Sequence, residues 1–267
     1  MSEAASTSPD FDDPPVIETA LGVEFSPLKG WDVQHFGLFW REIRNEYPHV
    51  QVVPPARGHE DEPPQSVPRI ELVTHLPTRC WFVNGSRTRL IQIQNDRFFH
   101  NWRKAGSTEV YPHYETIRPV FERDWLGFIK FLESERLTPP DVKTCEITYV
   151  NHLEMGKGWD SFADLSSVIS LWQRPSEARC LTNPEVVAIS ARYLLSGNTR
   201  LSISVTPGIR DADATEILQL TLTARGGPSS SEIADLWAWF DPAREALGRA
   251  FLEITTERMH KVWRRTR

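Results

Sequence analysis

The sequence predicts an α+β protein made of two related β-α-β-β-α halves, in which antiparallel sheets are backed by helices. Three observations point to this class. Short segments with alternating polar and apolar residues are typical of strands with one buried face. Longer segments between them carry apolar residues every three or four positions, as amphipathic helices do. The same order of segments occurs twice, at a spacing of roughly 110–130 residues, so we expect an internal duplication.

Length and composition are those of a globular chain. The 267 residues are 40% hydrophobic and 25% charged, which indicates neither a fibrous nor a wholly disordered protein. At this length, roughly 70–75% of the unfolded surface can be buried in a core. The ten Trp residues are spread over the whole chain. This spread favours packing at many separate contacts over one stacking platform.

Charge and cysteine content argue against several classes of protein. A net charge of −6 gives no basic footprint for nucleic acid, so nucleic acid is not the expected partner. The three cysteines are widely spaced and have no metal-ligand pattern, so we predict no disulfide, no metal and no cofactor. No segment is apolar enough to span a membrane, and the first residues lack an apolar targeting region. We therefore expect a cytoplasmic protein, and a homo-oligomer stays open.

The first half is predicted to span residues 15–140, after a disordered tail of residues 1–14. The tail is rich in Ser, Ala, Asp and Pro and has too few apolar groups to order itself. The segment VIETALGVEF predicts a strand over residues 16–25. Apolar residues then follow helical spacing over residues 36–47, and Pro48 marks the end of that helix.

A proline-rich connection and a hairpin lead to the second helix of this half. Five prolines between residues 54 and 68 exclude a regular ladder, so we expect a mobile surface loop there. The strands CWFV and TRLIQIQ flank Asn84-Gly85, a dipeptide that suits the positive φ angles of a tight turn. Helical spacing over residues 117–132 predicts the next helix.

The second half, residues 141–267, is predicted to repeat this order. The expected elements are a strand over residues 143–152, a helix over 162–172, a hairpin over 186–205 and a strand over 217–224. A long terminal helix follows. Asp241 is a good N-cap residue for it and Pro242 suits its first position, so we expect the helix to begin there.

The segment RLIQIQNDRFFHNWRK, residues 89–104, carries the densest group of polar and aromatic side chains. Ile91 and Ile93 alternate with glutamines, as in a strand with one polar face. The residues after Gln94 offer more hydrogen-bonding groups than a strand exit needs. We take this segment and the strand over residues 143–152 as the candidate binding site. Its residues are Gln92, Gln94, Asn95, Arg97, Asn101, Trp102, Arg103, Tyr149 and Asn151.

One carboxylate in this region has a predicted structural role. Glu146 lies in the middle of a predicted strand, next to Ile147. A buried carboxylate there needs a cationic partner, and Arg97 or Arg103 is the expected one. Arg103 is therefore expected either to bind a partner or to be the counter-charge of Glu146.

No catalytic motif occurs together with its structural context. No GxGxxG, GxSxG or HExxH sequence is present, and we assign no catalytic residue. His100 and His113 could form a proton-transfer set with Tyr111, Tyr114 and Asp96. Histidines in such a pattern are more often hydrogen-bonded or on the surface. A metal site is not indicated, because no second metal ligand follows either histidine at the spacing of a helix or a strand.

Four segments resemble a known family. They are PPVIETALGVEF from Pro14, LIQIQNDRFFHNWRK from Leu90, YPHYETI from Tyr111 and EITYVNH from Glu146. Together they are similar to a family of sporadically distributed bacterial and archaeal proteins, with a match from Pro14 to about Trp263. The family has no assigned function or site residues. The resemblance implies mobile genes and, by association, a defence or toxin–antitoxin locus.

Three function classes follow. The first is a non-catalytic, antitoxin-like binding module that engages a protein partner, encoded nearby, through a polar and aromatic groove. The second is a small-molecule-sensing regulatory domain, in which Trp and Tyr rings form the walls of the same groove. The third is an enzyme with an unrecognised acid/base site.

Overall fold

The computed structural model describes residues 9–56, 78–106, 108–173, 180–230 and 232–267. In these ranges the strands form one antiparallel sheet of nine strands, in the order β2-β3-β4-β5-β1-β6-β9-β8-β7. The strands are β1 Val16–Phe25, β2 His49–Val53, β3 Arg79–Val83, β4 Arg89–Gln94, β5 Arg97–Arg103, β6 Val142–Glu154, β7 Ile189–Leu194, β8 Arg200–Arg210 and β9 Thr215–Gly226. The α+β class is confirmed. The expectation of separate sheets is wrong, because β1 pairs with β6, the first strand of each half.

The three long helices pack on one face of this sheet, which we call the helix face. They are α1 Val33–Ile43, α2 Tyr114–Ser134 and α3 Ile233–Ile254, and a short α4, Glu257–Val262, follows α3. Helix α2 contacts β5 and β1, and α3 contacts β6 and β9. Phe39 of α1 lies 5.6 Å from Phe82 of β3 and 5.5 Å from Phe128 of α2, measured between ring centroids. None of the described helices is long and apolar enough to cross a membrane.

Strand β5 is an element that the sequence pattern does not reveal. Residues 95 and 96 form a turn, and β5 pairs with β4 on one side and with β1 on the other. Its neighbour β1 accommodates this pairing through Gly22, because a Cβ there would lie only 2.2 Å from the ring of Phe99. The polar residues of β5 conceal an ordinary strand alternation, in which Phe98 and Trp102 face the helices.

The hairpin between β3 and β4 is present, but its turn differs from the expected one. The left-handed residue is Arg87, with a φ of 62°, and not Asn84 or Gly85. Asn84 instead organises the turn with its side chain. Its Oδ1 accepts a hydrogen bond from the backbone N of Arg89 at 2.9 Å, and its Nδ2 donates to Ser86 Oγ at 3.0 Å.

Two helices of the second half differ from their predicted bounds. The predicted helix over 162–172 is only a 3₁₀ helix, Phe162–Ser167, although Leu165 is fully buried as the spacing implies. Helix α3 begins at Ile233 and contains Pro242 in its interior, so Asp241 is not its N-cap. Proline removes one backbone hydrogen bond there. The buried stripe of α3 extends on both sides of this position and holds the helix together.

The predicted tail and loop are only partly within the described ranges. Residues 1–8 and 57–68 lie outside them. The described end of the tail is ordered, contrary to the expectation for residues 1–14. Phe11 is 9% exposed, its ring centroid lies 5.7 Å from that of Phe251, and its backbone forms a bridge with Arg265. One aromatic residue and a β-bridge are enough to anchor this otherwise polar segment.

Candidate functional site

The sheet face opposite the helices, which we call the polar face, carries most of the predicted site residues. Cross-strand partners in a sheet share a face. The register of β1 with β5 therefore places Arg97, Asn101 and Arg103 with Glu24 and Glu18 on the polar face. Gln92 and Gln94 of β4 lie on the same face, next to Phe99 and Arg97.

The remaining predicted site residues are elsewhere. Trp102 and Tyr149 both pair with Thr19 and lie on the helix face, and Asn151 is buried on that face as well. Asn95 is in the β4–β5 turn, where its carbonyl accepts a hydrogen bond from the backbone N of Leu28 at 2.9 Å. The structure thus divides the predicted site into a polar-face group and a helix-face group.

The centre of the polar face is a network of paired charges. Arg97 contacts Glu24 at 3.2 Å, and Arg225 contacts both Glu24 at 2.5 Å and Glu146 at 3.1 Å. We call these four residues the central charge network. Glu146 is the mostly buried carboxylate that the sequence predicts, with a side chain that is 12% exposed. Its ion pair is with Arg225, directly across from it on β9. Of the two partners expected from the sequence, Arg97 is close enough for its charge to interact with that of Glu146. Arg103 lies opposite Glu18 instead, so Arg103 as the counter-charge is wrong.

Beside this network, a chain of side-chain hydrogen bonds runs from Glu18 of β1 toward the edge of the sheet. Asn101 Nδ2 donates to Glu18 Oε1 at 2.6 Å, and Gln92 Nε2 donates to Asn101 Oδ1 at 2.7 Å. Trp81 Nε1 in turn donates to Gln92 Oε1 at 2.8 Å. Gln94 Oε1 accepts from the backbone N of Ala56 at 3.0 Å. The amides that the sequence offers for partner recognition are thus bonded within the protein, and they fix the orientation of Trp81.

Two arginines lie over this tryptophan, and a third, Arg87, is joined to them through its backbone. The guanidinium carbons of Arg79 and Arg103 lie 5.6 and 5.9 Å from the ring centroid of Trp81, within the range of cation–π attraction. Arg103 Nε donates to the carbonyl of Arg87 at 3.1 Å, which joins the third arginine to the group. We call Arg79, Trp81, Arg87 and Arg103 the arginine–tryptophan cluster.

The cluster differs from the central charge network in its charge balance. No carboxylate of the described residues lies within 4.0 Å of the guanidinium groups of Arg79, Arg87 or Arg103. Burial and the nearby charge of Arg97 lower the pKa of Arg79. The three arginines therefore form no ion pair with a described residue, and Glu18, across from Arg103 on β1, is the carboxylate on which the charge of Arg103 acts.

A cleft of about 360 Å³ opens beside the cluster. His49 and Gln51 of the edge strand β2 line one side of it, and Arg87 and Arg103 line the other. Guanidinium groups present several donors in a planar arrangement that matches carboxylate and phosphate oxygens. An imidazole and an amide add further donors. This set of groups can bind an anion.

Sequence reasoning finds only Arg103 and Gln92 of this arrangement. It misses Arg79, Trp81 and Arg87, which belong to the β3–β4 hairpin and its turn. A signal was present in the hairpin itself, because its register places Trp81 opposite Gln92. Strand β2 is absent from the sequence prediction, so the cleft between it and the cluster has no counterpart there.

The residues of the predicted proton-transfer set do not form one group, although the rings of Tyr111 and His113 lie 5.1 Å apart between centroids. His100 is completely buried, and its Nδ1 lies 2.9 Å from Asp124 Oδ2. Tyr47 donates to the same carboxylate oxygen at 2.6 Å. These hydrogen bonds outweigh the effect of burial and lower the pKa of Asp124. We interpret His100, Asp124 and Tyr47 as a core polar network that joins α2, β5 and the segment after α1.

The other members of that set have separate partners. Asp96 pairs with Arg97 at 3.0 Å, and Tyr114 donates to Asp241 at 2.7 Å. Among the described residues, no group of three or more His, Cys, Asp or Glu side chains could hold a metal ion. Comparisons with protein-family models, curated proteins and solved structures give no match for the chain. The family resemblance of the sequence therefore stays a prediction.

Proposed function

We propose that the chain is a non-catalytic binding module that engages a protein partner at the arginine–tryptophan cluster. The observation that carries this proposal is the absence of an ion pair at Arg79, Arg87 and Arg103 within the described part of the chain. Arginine and tryptophan are the residues most often found at interface positions that dominate binding energy. An acidic segment of a partner would supply the missing carboxylates.

The position of the cluster supports this function. It lies next to β2, an edge strand of the described sheet, whose His49 and Gln51 share its face. Aromatic residues and arginine are enriched at protein interfaces relative to the rest of the surface. The chain as a whole is acidic, with a net charge of −6, so the cluster is a local reversal of sign that would select for an acidic partner segment.

The partner is proposed to be the product of a neighbouring gene, as an antitoxin-like protein in a defence locus would require. Co-expression of the tagged chain with that product tests this. We expect co-purification with the wild type, and loss of the partner with the double variant Arg87→Ala, Arg103→Ala. A matched control is Arg249→Ala on α3, an exposed arginine that already has Glu245 as a partner at 3.6 Å.

The result that contradicts the proposal is equal recovery of the partner with the double variant and with the control. Raising the salt concentration provides a second criterion. Exposed charge pairs are screened over about 10 Å at 0.1 M salt, so binding through this cluster should weaken as salt is added. Binding that is indifferent to salt would argue against an acidic partner segment.

We also propose that the two halves arose by internal duplication. Outward from the centre of the sheet, the strands follow as β1, β5, β4, β3 in one half and as β6, β9, β8, β7 in the other. In both halves a helical segment connects the central strand to a strand near the edge of the sheet. The following strands then lie successively closer to the centre, and a long helix comes after them. Superposition of the halves in an experimental structure should match β1 with β6 and α2 with α3. A better match of other elements would contradict a duplication.

A further inference from the structure

A second cavity lies on the helix face. It shares no lining residue with the cleft beside the arginine–tryptophan cluster. Its volume is about 90 Å³, and it lies between the sheet, α3 and the segment before β1. Its apolar walls are formed by Phe11, Val16, Leu222, Leu247 and Phe251. This segment forms the outer wall because Phe11 is held against Phe251 and Trp263 by edge-to-face ring contacts.

Four polar side chains interrupt the apolar lining: Tyr111, Tyr149, Asn151 and Arg244. Tyr111 Oη donates to Tyr149 Oη at 3.4 Å. Burial raises the pKa of both tyrosines, so their hydroxyl groups stay protonated and able to donate. Asn151 Nδ2 donates to the carbonyl of Leu220 at 3.1 Å, which fixes the orientation of its amide.

Arg244 places a positive charge at this cavity. Its side chain is only 13% exposed, lies over the ring of Tyr114 at 5.6 Å, and contacts the exposed Glu115 at 3.4 Å. The guanidinium group is therefore held in place from two sides. A mostly apolar cavity with a few fixed polar groups is the usual form of a small-molecule site.

We infer that this cavity binds a small carboxylic acid with a short, apolar body, oriented by Arg244 and the two tyrosine hydroxyls. The carboxylate would take hydrogen bonds from Arg244 and Tyr149, because both groups are donors in a setting of low solvent exposure. The alkyl body would pack against Leu222, Leu247 and Phe251. A cavity of about 150 Å³ holds a benzene ring, so the smaller volume of about 90 Å³ here favours a short, branched chain.

Isovalerate is a suitable probe, with isopentanol as the neutral control of the same carbon skeleton. We expect isovalerate to raise the thermal midpoint of the full chain in proportion to its concentration above Kd, and isopentanol to have a smaller effect. Tyr149→Phe, which keeps the ring, should weaken isovalerate binding by about tenfold, as the loss of a hydrogen bond to a charged group does. Isopentanol binding should change less.

Arg103→Ala separates this inference from the proposed function. Carboxylate binding at the arginine–tryptophan cluster would be lost in this variant, whereas binding in the helix-face cavity would persist. Amide and methyl NMR spectra locate the ligand independently of stability, with shifts expected at Leu222 and Leu247. The inference is overturned if isovalerate does not bind below about 10 mM, if Tyr149→Phe leaves its affinity unchanged, or if Arg103→Ala abolishes binding.

Discussion

The central charge network and the arginine–tryptophan cluster lie on the same face of the same sheet, yet their arginines have opposite surroundings. Arg225 contacts two carboxylates, Glu24 and Glu146, and its side chain is 17% exposed. Arg103 has no carboxylate within ion-pair distance among the described residues. It donates a hydrogen bond to the carbonyl of Arg87, and its guanidinium group lies over the ring of Trp81. Arginines on one surface thus have two kinds of surroundings: Arg225 is paired with carboxylates of the fold, whereas Arg103 is held by a carbonyl group and a tryptophan ring.

We expect the largest loss of stability from a substitution in the central charge network. Replacing Arg225 by Ala leaves Glu24 and Glu146 without their shared partner in a setting where both side chains are mostly buried. Arg97 then remains as the one arginine of the network beside two mostly buried carboxylates. Breaking a buried pair costs about 3–5 kcal/mol, and we expect a loss at the lower end of that range because Arg97 stays in place. Urea unfolding of the variant measures the loss.

A second substitution distinguishes lost charge pairing from lost packing. Adding Glu146→Gln to Arg225→Ala removes one of the two carboxylate charges that then share Arg97, so we expect a partial recovery of the free energy of unfolding. No recovery would mean that the cost of Arg225→Ala comes from packing and not from the network.

At the cluster, the expected stability effect is smaller. Arg103→Ala should lower the free energy of unfolding by less than about 1 kcal/mol, because it breaks no ion pair and the side chain is partly exposed. The same urea experiment checks it. A loss as large as that of Arg225→Ala would place Arg103 among the residues that complete the fold and would remove the contrast.

The smallest effect is expected at Glu18, which lies between the two regions. Burial raises its pKa, partly offset by the hydrogen bond from Asn101 and the charge of Arg103. A raised folded-state pKa means that the folded protein binds the proton more tightly. Ionisation of Glu18 therefore lowers the free energy of unfolding as the pH rises from the ordinary pKa of 4.5 through the raised pKa of the folded state.

Glu18→Gln removes this cost and keeps an acceptor for Asn101 Nδ2. We expect the variant to match the wild type at pH 4 and to be more stable than the wild type at pH 7, measured by urea unfolding at both pH values. A variant that is less stable than the wild type at pH 7 would show that the ionised form of Glu18 is favoured in the fold.

The sequence predicts the elements of this protein better than their arrangement. The alternation in β1 and β6 and the helical spacing in α1 and α2 are local patterns, and each yields the right element. The pairing of β1 with β6, which makes one sheet, is a long-range contact that no local pattern contains. Strand β5 is hidden because polar groups stand on one of its faces and a histidine on the other.

The candidate site follows the same rule. Glu146 is recognisable as a buried carboxylate from its position in an apolar strand, but its partner Arg225 becomes evident only from the register of β6 with β9. Arg103 is recognisable as a candidate from its polar neighbours. Its association with Trp81 and Arg87 depends on how the β3–β4 hairpin packs beside β5, which spacing along the chain does not reveal.

The affinity of the Arg103→Ala variant for the co-purified partner tests the central claim most directly. Isothermal titration of the wild type, Arg103→Ala and the control Arg249→Ala gives three dissociation constants under one condition. We predict that the Kd of the complex with the partner rises at least about tenfold for Arg103→Ala, equivalent to about 1.4 kcal/mol of binding free energy. For Arg249→Ala, we predict an unchanged Kd. An unchanged Kd for Arg103→Ala in a folded protein would contradict the central claim.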